Sequence, residues 1–212
     1  MSRLDAYERL KYRLMSGDLE PGQFITQREF AELAGVPLGA AREAIMQLEH
    51  ERLLRVYPQR GIQIADCTIK ALNDAFNYRK ILELHAIEHY VENAAQESIL
   101  KLAEDTRQVL AALQSSGFNK DLQEQAVEID WRLHDEIIAS LGNDVVTRDY
   151  QINAGRIRLM RVSNRLDSDR IVAALDEHLN ILNAALDRDK DRAAAGLEIH
   201  LTTAMRRALS GS

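Results

Sequence analysis

Asp130 and His134 stand four residues apart in a stretch free of proline and glycine, so on a helix they share one face and can grip a single ion. His178 and His200 lie farther along, each among apolar neighbours: Leu175 and Leu179 around the first, Ile199 and Leu201 around the second. On helices that turn one face to a bundle core, three imidazoles and one carboxylate would make a metal site with positions open for water or an anionic ligand. Such ligation suits one divalent ion per chain, with Zn, Ni, Mn, Co and Fe not distinguished. The plain alternative is a set of hydrogen-bonded core histidines, the commoner fate of a buried imidazole. Open metal positions also make a metal-dependent hydrolase conceivable. Against that, Glu177 is the nearest general-base candidate in sequence, and it diverges from His178 by about 100° on a helix. Glu83 and Glu136 are further base candidates that only geometry can place. No catalytic constellation emerges, and the chain reads as a non-enzyme. His50, His85 and His89 fit no such pattern and are expected to be structural or solvated.

The elements that must position these residues are helical. Beyond residue 66 the chain holds no proline and is built mostly from good helix formers. Cap and turn residues at Gln96-Glu97, Ser115-Ser116-Gly117, Gly142-Asn143, Asp167-Ser168 and Asp187-Arg188-Asp189 divide it into six helices. These are expected over 68–95, 97–114, 120–140, 143–164, 168–187 and 189–209. Short connections favour an antiparallel bundle.

All three prolines, Pro21, Pro37 and Pro58, fall in the first 60 residues, where the pattern changes. Leu4, Tyr7, Leu10 and Leu14 have helical spacing and stop at Gly17. Thr26-Gln27-Arg28-Glu29 is a capping box that starts a short second helix. Gly35-Val36-Pro37 ends it, and Ala41, Ile45 and Leu48 form the apolar side of a third helix from Leu38 to about Glu51. Two β-favouring runs, Leu53 to Tyr57 and Gly61 to Ala65, flank the turn Pro58-Gln59-Arg60-Gly61. The expected fold is mainly α: a winged helix-turn-helix over residues 1–66, followed by an all-helical domain over 67–212.

The chain has 212 residues, a net charge of -6 and a single cysteine, Cys67, which excludes an internal disulfide. No run approaches the roughly 20 apolar residues of a membrane span, and the start lacks a secretory pattern, so a cytoplasmic protein is expected. The acidity weakens a nucleic-acid reading without removing it. Residues 1–66 carry 9 Lys+Arg against 10 Asp+Glu, so most of the excess acid lies beyond them, and a near-neutral domain can still gather its arginines on one face.

The short pieces Leu19-Glu20-Pro21-Gly22, Arg28-Glu29-Phe30-Ala31, Gly35-Val36, Ala41-Arg42-Glu43-Ala44-Ile45, Leu48-Glu49, Leu53-Leu54 and Arg60-Gly61 follow one another as in the winged helix of the GntR superfamily, which the chain resembles over about residues 8 to 65. The resemblance implies a DNA-binding transcriptional regulator. Arg42 near the start of the recognition helix would read a base in the major groove, Arg28 would contact a base or phosphate, and Arg60 would enter the minor groove from a hairpin tip turned at Gly61. The bland reading of each arginine is a solvated charge. The chain departs from the family at the opening of the third helix, where Pro37-Leu38-Gly39-Ala40-Ala41 replaces Ser-Arg-Thr-Pro-Val. One arginine is thereby lost to Leu38, and Gln27, Gln47 and Gln59 are possible substitutes.

Asp130-x-x-Leu133-His134 followed by Gly142-Asn143, Glu177-His178 and His200-Leu201 is similar to the FCD ligand domain of FadR-like GntR regulators, in the metal-containing, six-helix, VanR-like branch. This implies a metal at Asp130, His134, His178 and His200 and a small carboxylate effector. Arg79 matches a recurrent family arginine suited to a carboxylate. Asn153 and Arg156 are weaker effector candidates, since Arg156, Arg158, Arg161 and Arg165 also read as a solvated basic run. The implied mechanism is a homodimeric regulator, expected to be a repressor, on a palindromic operator, with the long helix from Thr68 as the lever by which the effector alters binding. A winged helix that binds protein instead of DNA is the remaining alternative.

Overall fold

A computed structural model describes residues 2–66, 68–116, 119–161 and 168–210. Cys67, Gly117, Arg165 and Asp167, named above, lie outside the described residues, as does the side chain of Arg161. The described residues divide into two compact units: those up to Ala75 with 152–161, and Phe76 to Gln151 with 168–210.

In the first unit, helix α1 (Arg3–Met15) opens on a capping box between Ser2 and Asp5. It buries Ala6, Tyr7, Leu10 and Leu14, a stripe of helical period. Helix α2 (Gln27–Ala34) starts at the expected Thr26–Glu29 box and ends at Gly35, whose φ of 64° suits glycine. Helix α3 (Leu38–His50) buries Ala41, Ala44, Ile45 and Leu48. Pro37 is its N-cap, one position before the first helical turn, with no side-chain cap bond.

The hairpin forms from β2 (Leu54–Tyr57) and β3 (Gly61–Ile64), and a third strand, β1 (Phe24–Ile25), pairs antiparallel with β3 to give the order β1-β3-β2. Two residues are too few to show alternation, so β1 had no readable signal. It also explains Gly61. A Cβ there would sit 2.6 Å from the Ile25 carbonyl oxygen, at a φ of 97°, so the glycine is demanded by the crossing strand as well as by the turn.

Leu10, Phe30, Ile45, Leu53, Ile62 and Ile64 pack into one core with Leu159. Each fully buried large apolar side chain contributes about 1.5–3 kcal/mol.

Helix α4 (Ile69–Asn93) passes from the first unit into the second at Ala75, and α7 (Asp144–Arg161) passes from the second into the first at Gln151. The second unit is completed by α5 (Gln96–Ser116), α6 (Lys120–Ala139), α8 (Ser168–Leu186) and α9 (Lys190–Ser210). Among the described residues all six helices fall within a few residues of their expected bounds, and the expected end of the fourth at residue 164 lies outside them. Helix α8 packs against α5, α6 and α9. Its approach to α9 is close at Gly196, where an added Cβ would lie 3.2 Å from Ile181 Cγ1. One turn from that contact, the same pair of helices brings His178 toward His200.

Candidate metal centre and DNA-reading face

The Asp130 carboxylate and the imidazoles of His134, His178 and His200 each offer a ligand atom, and all four atoms lie within 4.8 Å of one another. The three histidines are buried and Asp130 is partly so. Asp130 and His134 come from successive turns of α6, His178 from α8 and His200 from α9. His178 Nε2 is 3.2 Å from His200 Nε2 and 3.6 Å from Asp130 Oδ1.

Two neighbouring carboxylates set the tautomers. Glu83 Oε2 is 2.7 Å from His134 Nδ1, and Glu177 Oε2 is 2.7 Å from His200 Nδ1. A carboxylate only accepts, so each Nδ1 carries the proton and each Nε2 keeps a bare lone pair. His134 Nε2 is buried with no hydrogen-bond partner, an arrangement a structural histidine avoids and a metal ligand requires. Burial, helped by the nearby Arg79 cation and opposed by Glu83, pulls His134 down to about 4. Burial likewise holds His178 well below the ordinary imidazole value. Both are neutral at pH 7, the form that ligates.

Glu83 organises the surroundings. It is fully buried and accepts from Arg79 Nε at 2.5 Å, Tyr150 Oη at 2.7 Å and His134 Nδ1. Burial pushes its carboxyl up, but Arg79 and His134 more than offset this and hold it below the usual carboxylate range. The Arg79 guanidinium lies over Trp131, 4.7 Å from the ring centroid. Its Nη1 and Nη2 are buried without hydrogen-bond partners, a costly state for charged donors unless an anion meets them.

Sequence reasoning named the four ligand candidates and Arg79 but weighed Glu83 and Glu177 only as general bases and not as residues that orient the imidazoles. Arg79–Glu83 is an i,i+4 pair on a helix with many apolar residues, a signal that was available. Nothing in the sequence paired Tyr150 with Glu83, 67 positions away. Glu177 serves His200 on the neighbouring helix instead of its own neighbour His178, in keeping with their divergence along α8. Asn153 and Arg156 belong to the first unit. The Asn153 amide nitrogen donates to the Ala75 carbonyl at 2.9 Å, and Arg156 is half-buried near Arg52 and Asp74.

The three arginines named as DNA-contact candidates lie on the surface of the first unit. Arg42 and Arg60 are exposed and pair with no acid among the described residues. Arg28 is exposed and held by Glu32 at 2.9 Å, so binding DNA would break a weak surface pair. The wing is tied to the recognition helix by Val56 N–H, which donates to Glu49 Oε1 at 2.7 Å. At the far end of α3 the buried Glu51 carboxylate accepts from Tyr7 Oη at 2.8 and 2.9 Å, and Lys11 donates to the same hydroxyl at 2.7 Å. That network fixes α3 against α1.

Residues 74–203 match the FCD domain family, and residues 3–64 match the gntR family of bacterial regulatory proteins. The chain is a GntR-family regulator with an FCD domain. Relatives of this GntR/FCD chain are regulators, not enzymes. The uncharacterized HTH-type transcriptional regulator YdhC of Bacillus subtilis is 22% identical, over 93% of this chain and 86% of its own length. The HTH-type transcriptional repressor GlaR of Escherichia coli is 24% identical, over 96% and 94%. Among solved structures, E. coli McbR/YncC shares the fold with a TM-score of 0.80 at 20% identity, covering 98% of this chain and 97% of its own. A Zn2+-bound FCD domain has a TM-score of 0.53 at 23% identity, over 68% of this chain and 94% of its own. The GntR/FCD chain is thus a DNA-binding transcriptional regulator, and among its described residues no helix is long and apolar enough to cross a membrane.

Proposed function

We propose that the chain is a ligand-responsive repressor, with a DNA-binding domain over residues 1–66 and a sensing domain over 67–212. In this reading Asp130, His134, His178 and His200 hold one divalent ion, and Arg79 receives a small carboxylate effector. The observation that carries the reading is the buried, partnerless Nε2 of His134 inside a cluster of three imidazoles and a carboxylate. A Zn2+-bound FCD domain of the same fold and a relative described as a repressor support it. A bound cation would supply positive charge that attracts an anionic ligand. The protein's own residues do the rest. Glu83 and Glu177 hold His134 and His200 in the ligating tautomer, burial keeps His134 and His178 neutral, and the free Nη1 and Nη2 of Arg79 offer paired donors to a carboxylate.

Two copies of Arg42, Arg28 and Arg60 in a homodimer would contact adjacent half-sites of a palindromic operator. The effector weakens operator binding only if its affinity differs between the DNA-competent and incompetent states, and a coupling of ~1–3 kcal/mol is ordinary. The test is elemental analysis of purified protein beside an Asp130→Ala, His134→Ala double variant, then operator binding with and without small mono-, di- and tricarboxylates. About one metal per chain, lost in a folded double variant, is the expected result. A folded, metal-free wild type that cannot be loaded with Zn2+ overturns the metal assignment. Equal carboxylate affinity for free and operator-bound protein overturns the coupling.

A further inference from the structure

The first turn of the recognition helix is built in a way the fold does not ask for. Pro37 caps it with no side-chain bond, so the helix forgoes the stabilisation that a Ser, Thr, Asp or Asn cap supplies. Gly39 has open space where a Cβ would stand, so no neighbour requires the glycine. Leu38, the first helical residue, is 38% exposed and stands outside the apolar core of its unit. An exposed leucine needs no explanation by itself. Its position supplies one: Leu38 and Arg42 are four residues apart on α3, on one face and about 6 Å apart along the axis. Arg42 is exposed and without an acid partner among the described residues. The N-terminal end of a recognition helix is the end presented to base edges in the major groove. There the one apolar feature of a base pair is the thymine 5-methyl group.

We infer that Leu38 is a specificity-determining residue that packs against a thymine methyl in the operator half-site, beside the guanine read by Arg42. The inference rests on the reading of α3 as the helix whose start enters the major groove. The bare Gly39 leaves the face beside Leu38 without bulk, so the helix start approaches the groove floor closely. A separation of about 6 Å along the helix corresponds to about two base steps, so the thymine lies within about two base pairs of that guanine.

The experiment is selection of binding sites from a randomised duplex library by purified full-length wild type, Leu38→Ala and Arg42→Ala. Selected duplexes are then remade with deoxyuridine in place of each thymine. Wild type is expected to enrich a guanine with a thymine nearby, and to lose roughly fourfold in affinity when that one methyl is removed. Leu38→Ala, a surface change that leaves the core intact, is expected to keep the guanine and bind the thymine and uracil duplexes equally. Retention of the thymine preference by Leu38→Ala, or a wild type indifferent to deoxyuridine at every position, overturns the inference. If Arg42→Ala keeps the guanine while Leu38→Ala loses the thymine, the Arg42 assignment falls and the Leu38 assignment stands.

Discussion

Replacing Glu83 by Gln keeps the side chain's shape and removes its charge, and three buried donors make the consequence calculable. In the wild type Oε1 accepts from Arg79 and Tyr150 while Oε2 accepts from His134 Nδ1. A glutamine has one oxygen and one NH2 group. If the oxygen stays with Arg79 and Tyr150, the NH2 faces His134 Nδ1, which must become an acceptor. The imidazole then shifts its proton to Nε2, the atom aimed at the cluster. The opposite orientation points the NH2 at the Arg79 and Tyr150 donors. Either way the Arg79 cation is left in the core without its counter-charge, at a cost of about 3–5 kcal/mol to the metal-free protein. Loss of a carboxylate that orients a metal-bound histidine costs about 10- to 100-fold in metal affinity. Trp131 is the only tryptophan, is buried and lies under Arg79, so its fluorescence during denaturant unfolding reports on this unit. Zn2+ affinity is measured by competition with a chromophoric chelator at pH 7.5. A folded Glu83→Gln protein that binds Zn2+ with wild-type affinity would refute the tautomer argument.

Further outcomes follow from other contacts. Metal-free protein loses stability as pH falls from about 6.5 toward about 4: His134 is depressed to about 4 when folded, so the unfolded chain takes up the proton first, and urea titrations across that range should show a falling midpoint. Tyr7→Phe deletes the hydrogen bond to the buried Glu51 carboxylate and is expected to cost about 1.5–3 kcal/mol, read as a lower unfolding midpoint. Gly61→Ala should lower thermal stability by at least 1 kcal/mol, since its Cβ would meet the Ile25 carbonyl at an unfavourable φ; an unchanged melting curve would contradict the strand crossing. Arg28→Ala should leave the melting curve unmoved, because its pair with Glu32 is exposed, yet weaken operator binding in a low-salt gel-shift titration.

Local sequence fixed what local physics governs. Capping boxes at Thr26–Glu29, glycine stops at Gly17 and Gly35, and apolar stripes such as Ala41, Ile45 and Leu48 determined where helices begin, end and turn their faces, because those signals act within one or two turns. The four ligand candidates were legible too, Asp130 and His134 through their shared helix face and the full set through the resemblance to the FCD domain. Tertiary structure alone decided the rest. The strand Phe24–Ile25 exists because β3 offers it unpaired backbone groups, and that pairing is what requires Gly61. Tyr150 and Glu177 orient the cluster from other helices, and Leu159 completes the core of a unit far from it in sequence. Such contacts depend on how helices pack, and a single sequence carries no local signal for them.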